Sequence, residues 1–310
     1  MGLAMREAWG KALVNQGQKH PELVVLDADV SCSTKSCFFR EEFPERFFNC
    51  GVAEANMVGT AAGFAASGFR PVVNAFAIFL ALKGTDQIRN AIAYNNLPVI
   101  IAGAYGGLSD SFDGASHQSI IDIAIMRAIP NLQVIVPSDS KQAEEALEYA
   151  LHQDGPVYIR LNRNEMPALN VEKSIGDTKA VKMKDGKDIT IAANGITASF
   201  AKEAADELES KGYSVDLFSV PFVKPLDSKS LIESVKKTGK LISVEEHNII
   251  GGFAGAISEA FMNEGFSCKF KAIGINDRFT ETGPYTELLA KYGISKDNIV
   301  RESEKLLKME

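Results

Sequence analysis

The amino-acid sequence predicts two α/β domains in series, each a three-layer arrangement of helices around a mostly parallel sheet, the second smaller than the first. Three observations carry this. Strand-like runs alternate with helical patterns from one end of the chain to the other. The runs are β-branched and almost continuously apolar, as strands buried on both faces of a parallel sheet are. Around residues 162–187 the alternation fades and then resumes, in a chain whose 310 residues exceed the ~250–300 at which a single core usually stops growing.

In order along the chain, a helix is expected over residues 4–16, where apolar positions alternate with Arg6, Glu7 and Lys11. Strands are expected at LVVLDAD (23–29), RPVVNAF (70–76), LPVIIAG (97–103), LQVIVP (132–137) and GPVYIRL (155–161). Helices over 54–67, 80–94, 118–128 and 139–152 connect them, the last announced by Ser138-Asp139, a helix start signal. Residues 162–187 carry scattered charges, Pro167 and two glycines, and read as a linker with at most one weak hairpin. Alternation returns with DITIAAN (188–194), a helix over 197–211, YSVDLFSV (213–220), a helix near 228–237, KLISVEEH (240–247), a helix over 251–263, CKFKAIGI (268–275) and closing helices. The expected division is 1–163, a linker at 164–187, and 188–310.

Composition bounds the function. With 45% hydrophobic and 24% charged residues and a net charge of -7, the chain reads as a soluble globular protein. No basic block interleaved with aromatics speaks for nucleic acid. The longest apolar stretch, Met57 to Ala66, is far short of the ~20 residues of a membrane helix. The start does not read as a signal peptide, and Arg6 stands where a myristoylation motif wants Ser or Thr. Cys32, Cys37, Cys50 and Cys268 show no CxxC spacing and read as reduced thiols of a cytoplasmic protein.

Several segments could carry chemistry. FFNCGVAEANMVGTAAGFAASG (47–68) holds one acid, Glu54, at the head of an apolar, small-residue run. Either Glu54 complements the helix macrodipole, or a desolvated carboxylate here exchanges a proton with a bound heteroaromatic nitrogen, with small residues letting a flat ring lie close. Phe76 and Phe79, three apart at a strand-to-helix junction, are either core or an aromatic wall for a planar ring. The loop after residue 103 gathers Gly, Ser and Asp, with Asp113 and His117 four apart before a helix; loops at the carboxyl ends of parallel strands are where ligands bind. Arg160 and Arg163 past one strand end, Arg6 on the first helix, and Ser31, Ser33, Thr34 and Lys35 after the first strand are anion-binding candidates. The GGxxG of EEHNIIGGFAGAI lacks the dinucleotide spacing and reads as close helix–strand packing.

Taken together, these segments resemble the C-terminal half of transketolase, in the thiamine-diphosphate superfamily, along almost the whole chain and in order. GVAEANMVGTAAGFA is similar to the family's Glu-bearing segment, AFAIF to its FxxF pair, DGASHQSIIDIAIMRAIPNLQVIVPSD to its DG-x-[ST]-HQ stretch, GPVYIRLNRNEMP to its Arg-bearing strand end, and ISVEEHNIIGGFAGAI to its C-terminal signature. The resemblance implies a pyrimidine-binding domain followed by a transketolase C-terminal domain. It implies that Glu54 binds N1′ of the aminopyrimidine of thiamine diphosphate and promotes the tautomer that activates the thiazolium carbon, for transfer of a two-carbon ketol unit between sugar phosphates. Phe76 and Phe79 would flank the pyrimidine, Asp113 and His117 would contact sugar hydroxyls, Arg6, Ser33 and Arg163 would meet the sugar phosphate, and Asp29 would face substrate or cofactor.

Two departures follow. Tyr105 stands twelve residues before His117, where typical transketolases carry a phosphate-binding His, and GLSDSFDG replaces the usual GVGEDG form. The GDG-x(~25)-N motif that holds Mg²⁺ and the diphosphate through hard oxygen ligands is missing. The resemblance therefore implies a split enzyme, with an N-terminal subunit supplying the diphosphate and metal site and the two chains forming an α2β2 heterotetramer. Other readings are a subunit of a deoxyxylulose-phosphate synthase-like or 2-oxoacid dehydrogenase-like enzyme, and a catalytically silent assembly subunit.

Overall fold

The computed structural model describes residues 3–165, 167–169 and 175–309; Met1, Gly2, Met166, residues 170–174 and Glu310 lie outside, and with them the middle of the expected linker. The strands are β1 (Leu23–Asp27), β2 (Phe47–Asn49), β3 (Arg70–Phe76), β4 (Ile100–Ala104), β5 (Gln133–Ile135), β6 (Val157–Arg160), β7 (Val181–Lys184), β8 (Ile189–Ala193), β9 (Val215–Ser219), β10 (Phe222–Lys224), β11 (Lys240–Asn248) and β12 (Lys269–Ile275). The helices are α1 (Met5–Lys19), α2 (Ser31–Thr34), α3 (Cys37–Glu42), α4 (Glu54–Ala66), α5 (Ala77–Lys83), α6 (Thr85–Gln87), α7 (Asp122–Arg127), α8 (Ser140–Leu151), α9 (Thr197–Ser210), α10 (Ser228–Thr238), α11 (Phe253–Asn263), α12 (Tyr285–Lys291) and α13 (Lys296–Leu307).

Seven strands form one sheet in the order β10-β5-β6-β4-β3-β1-β2, and five form a second in the order β12-β11-β8-β9-β7. Every pairing is parallel except β10 with β5 and β7 with β9. The continuous apolar runs have the expected cause. Along β1, Val24 and Leu26 enter one core cluster while Leu23 and Val25 enter the other, and in β3 Val73 and Val72 divide the same way. The first of these clusters runs without a break from Met57, Val73 and Val134 into Phe253 and Ile257 of the second half.

Three differences from the sequence expectation have local reasons. The helix expected over 118–128 is only α7, because Ser119 bridges Gly106 and Gly107 and the Asn248 amide donates to the Ile120 carbonyl, which holds this stretch extended. The helix expected over 80–94 is broken into α5, α6 and a π-helical turn at Ile88–Ala93. In the linker region, β7 pairs with β9 of the second sheet instead of folding into a hairpin of its own. β2, β10, α2 and α3 were not anticipated; the two strands are three residues long, too short for a period to register. No helix among the described residues is long and apolar enough to cross a membrane.

The α1 helix is fixed to the first sheet by a buried polar contact, in which Trp9 Nε1 donates to Asn74 Oδ1 at 2.8 Å. Trp9→Phe keeps most of the apolar volume but leaves that oxygen unpaired. A loss of about 1–3 kcal/mol in urea unfolding is expected, and an unchanged midpoint would show that Asn74 finds another donor.

Candidate active site

Most of the sequence-predicted residues follow the carboxyl end of a parallel strand, and Arg6 joins them from the start of α1. Asp29 and Ser33 follow β1, Glu54 follows β2, Phe76 closes β3, Tyr105 follows β4, and Arg163 follows β6. This is the sheet edge where open α/β folds bind ligands.

Glu54 begins α4 and is 4% exposed. Lys83, at the end of α5, sits 3.3 Å from each of its carboxylate oxygens. The same ammonium lies 4.2 Å from the centre of the Phe79 ring, so a buried carboxylate and an aromatic face bracket one spot. Phe76 and Phe79 are 5.9 Å apart with planes tilted by 31°, and His117 stands edge-on to Phe79 at 5.2 Å and to Phe76 at 6.1 Å. His117 Nδ1 is 2.9 Å from the Ser116 hydroxyl.

A second group adjoins through Phe76, whose ring meets Tyr105 edge-on at 4.6 Å. Tyr105 is 3% exposed and has a φ of 61°, an uncommon conformation for a bulky side chain. Its hydroxyl accepts from Arg6 Nη1 at 2.8 Å and donates to the Ser33 carbonyl at 3.2 Å, and the Arg163 guanidinium lies 5.1 Å from its ring centre. Ser33 thus takes part through its backbone. Arg163 is paired with Asp110 at 3.2 Å. Burial pushes the Asp110 carboxyl up to about 6, the charge and hydrogen bond of Asp113 add to this, and Arg163 and His117 oppose it. Asp29, exposed and with a φ of 64°, accepts from Asn49 Nδ2 at 2.8 Å and, among the described residues, shares no hydrogen bond with either group.

Arg160 is no anion site. It is buried and donates to Asp122 Oδ2 at 2.8 Å, to the Ser119 carbonyl at 2.7 Å and to the Glu246 carbonyl at 2.9 Å. Lys83, Asp110, Asn162 and Glu246 were missed as site or supporting residues. Lys83 had a signal, lying four residues after Phe79 and so on the same helix face; Asp110 sits in an aperiodic loop that offers none.

The end of β11 packs three titratable groups beneath this edge. Glu245 accepts from the amides of Phe253 and Ala254 at 2.6 and 2.9 Å, which caps α11, and a side chain at Gly252 would fall 2.5 Å from His247 Nδ1, so the GGxxG does serve close packing. Burial pushes the carboxyls of Glu245 and Glu246 up to about 7 from 4.5 and pulls His247 down to about 4 from 6.5. The folded chain then holds extra carboxyl protons between about pH 4.5 and 7, so these acids lower stability as pH rises through that window, each by ~1.4 kcal/mol per pH unit. His247 acts oppositely, lowering stability as pH falls from 6.5 towards 4. His247→Asn removes the opposing group, so urea midpoints of the variant are expected to fall more steeply than wild type between pH 5 and 6.5; parallel curves would contradict a neutral buried imidazole.

Comparison with known proteins agrees with this geometry. The family model for the transketolase pyrimidine-binding domain matches residues 1–168, and that for the transketolase C-terminal domain matches residues 178–299. A solved structure described as a split-gene transketolase, an inactive β4 tetramer, superposes with a TM-score of 0.89 at 41% identity, covering 99% of each chain. A Methanocaldococcus jannaschii chain provisionally named transketolase C-terminal section is 39% identical over 310 residues, 99% of this chain and 97% of its own length. The 6-deoxy-6-sulfo-D-fructose transketolase subunit SqwH of Clostridium sp. is 35% identical over 305 residues, 97% of this chain and 94% of its own. The 1-deoxy-D-xylulose-5-phosphate synthase of Symbiobacterium thermophilum is 32% identical over 98% of this chain, which spans 47% of that longer enzyme. With both domains matched in order over a fold of this likeness, the chain belongs to the transketolase family, whose members are thiamine-diphosphate-dependent transferases.

Proposed function

We propose that this chain is the C-terminal subunit of a two-subunit transketolase that moves a two-carbon ketol unit between sugar phosphates of the pentose phosphate kind. Residues 1–163 serve as its pyrimidine-binding domain, 164–187 as linker and 188–310 as its C-terminal domain. The observation that carries the reading is the buried Glu54 carboxylate facing the Phe79 ring across a single ammonium. That spot fits an aminopyrimidine, because a flat cationic or proton-sharing ring matches what Lys83 now offers to both walls. Among the described residues no group of His, Cys, Asp and Glu is arranged to hold a metal ion. No step is assigned to metal on this chain, and the Mg²⁺ and diphosphate ligands belong to the N-terminal subunit.

Thiamine diphosphate, when bound, supplies the nucleophilic carbon that takes up the two-carbon unit. Glu54 would hold a proton at N1′ of the pyrimidine, and Phe76 and Phe79 would pack beside that ring and orient it. His117, beside both rings, moves a proton at the sugar hydroxyls, which Asp113 also contacts, and Asp29 faces substrate or cofactor. Arg6 and Arg163 meet the charged end of the sugar, arranged by Tyr105 and the Ser33 backbone. A chain 41% identical that forms an inactive β4 tetramer supports dependence on a partner and an α2β2 active form. The chain acts in the cytoplasm, where its four free cysteines stay reduced.

The reading is tested by purifying the chain with its partner from the native host and adding thiamine diphosphate, Mg²⁺, xylulose 5-phosphate and an aldose phosphate. Ketol transfer by the mixture and none by either chain alone is expected. Turnover of pyruvate instead would favour decarboxylating chemistry, a second reading prompted by the synthase relatives at 32–34% identity. Inactivity towards both donors, in a complex that forms, would leave a silent assembly subunit.

A further inference from the structure

The segment that carries Asp110, Asp113 and His117 has little regular structure of its own, and it is held from the second half of the chain. Leu108 N donates to Glu246 Oε1 at 2.8 Å, and Asn162 Nδ2 donates to Glu246 Oε2 at 3.2 Å. The Tyr285 hydroxyl accepts from the same Asn162 Nδ2 at 2.8 Å, beside this carboxyl. Gly107 is φ-positive, and a side chain there would lie 2.6 Å from Glu246 Oε1, so loop and carboxylate approach as closely as backbone allows. Further along, Gly283 N donates to the Ser111 carbonyl at 3.2 Å, and Gln118 Nε2 bridges the Ser111 and Glu281 carbonyls at 3.2 and 3.0 Å. Glu246 lies on β11 and is 3% exposed. A carboxyl so deeply buried is costly unless its acceptors are satisfied, and here the donors that satisfy it come from the substrate-side loop and its neighbours.

We propose that Glu246 is a positioning residue that fixes the 106–118 loop through the Leu108 amide, so that the second half of the chain helps select the sugar without touching it. The proposal rests on the transketolase reading above. Asp113 and His117 reach the substrate from a loop held at three points, Leu108, Ser111 and Gln118, by residues more than a hundred positions away. Glu54 lies on α4, outside that loop, and Phe79 on α5 meets it only through the His117 ring edge at 5.2 Å, so Glu246 is expected to act on the sugar side more than on cofactor binding.

Two measurements on Glu246→Ala and Glu246→Gln test this. In the isolated chain, amide hydrogen exchange of residues 106–118 is read against residues 54–66. Exchange of the loop is expected to rise about tenfold in Glu246→Ala, as the loss of one buried hydrogen bond that leaves the Leu108 amide unpaired allows, with the reference helix unchanged. Glu246→Gln, which can still accept from Leu108 N, restores most of the protection. In the assembled enzyme with partner, thiamine diphosphate and Mg²⁺, KM for the ketose phosphate is expected to rise about tenfold in the alanine variant and kcat to fall with it, because the loop also carries His117, while the cofactor concentration giving half-activity stays within about threefold. Should Glu246→Ala fail to fold, Tyr285→Phe removes one polar neighbour of the same carboxyl and is expected to shift both readouts the same way, by a smaller factor. Unchanged loop exchange overturns the proposal, as does faster exchange in loop and reference helix alike with cofactor affinity falling as well. If wild-type assembled protein transfers no ketol unit, the functional reading fails, and the exchange measurement still decides whether Glu246 holds the loop.

Discussion

Glu54→Gln is expected to lower ketol transfer by the assembled enzyme about 10²–10⁴-fold, the range a positioned general acid–base group contributes. Glutamine keeps the length and shape of the side chain at the start of α4. What it loses is the ability to take up a proton or to carry the charge that Lys83 meets at 3.3 Å. Lys83 is half-exposed and can turn its head to water, so the fold tolerates the change. Complex formation with the partner, followed by sedimentation, is therefore expected to match wild type while turnover disappears. A mixture retaining more than about a tenth of wild-type kcat would remove Glu54 from the proton transfer.

Arg160→Met is expected to cost about 3–5 kcal/mol of stability, as removing one partner of a buried ion pair does. Arg160 and Asp122 are both buried, 2.8 Å apart. Burial alone would raise the Asp122 carboxyl, but Arg160, His247 and the Tyr158 hydroxyl more than offset it and hold it below the usual carboxylate range. Without the guanidinium, Asp122 keeps, among the described residues, only the Tyr158 hydroxyl at 2.7 Å, and the Ser119 and Glu246 carbonyls lose their shared donor. The urea midpoint should drop sharply at pH 7 and partly recover at pH 4–5, where the orphaned carboxyl can protonate. Combining Arg160→Met with Asp122→Asn should regain much of the loss; if the double variant is as unstable as the sum of the singles, the two side chains are not coupled.

The parts of the molecule that were legible in the sequence are those where one residue's environment repeats. The β1, β3, β4 and β6 runs declared themselves because both faces are buried, and α8 because Asp139 caps it, accepting from the Gln142 amide at 2.9 Å. The strand-end rule pointed to Phe76, the Asp113–His117 loop and Arg163, whereas Tyr105 entered only through the family resemblance. What stayed hidden depends on contacts between distant segments. Asp110 is defined by Arg163, 53 positions away, and Glu246 by Leu108, 138 positions away; no local pattern encodes either. The EEH of β11 did offer one clue, since two acids and a histidine in a buried strand run need partners from elsewhere.

The antiparallel strand β10 leaves its own half of the chain to complete the edge of the other half's sheet, pairing Phe222 with Ile135 and Lys224 with Val134. Severing the polypeptide anywhere in residues 164–187 would therefore strip the N-terminal piece of its outermost strand and bare the unpaired amides and carbonyls of β5. Such a raw margin recruits other chains, so a fragment ending there should precipitate on its own and regain solubility when co-expressed with the remainder.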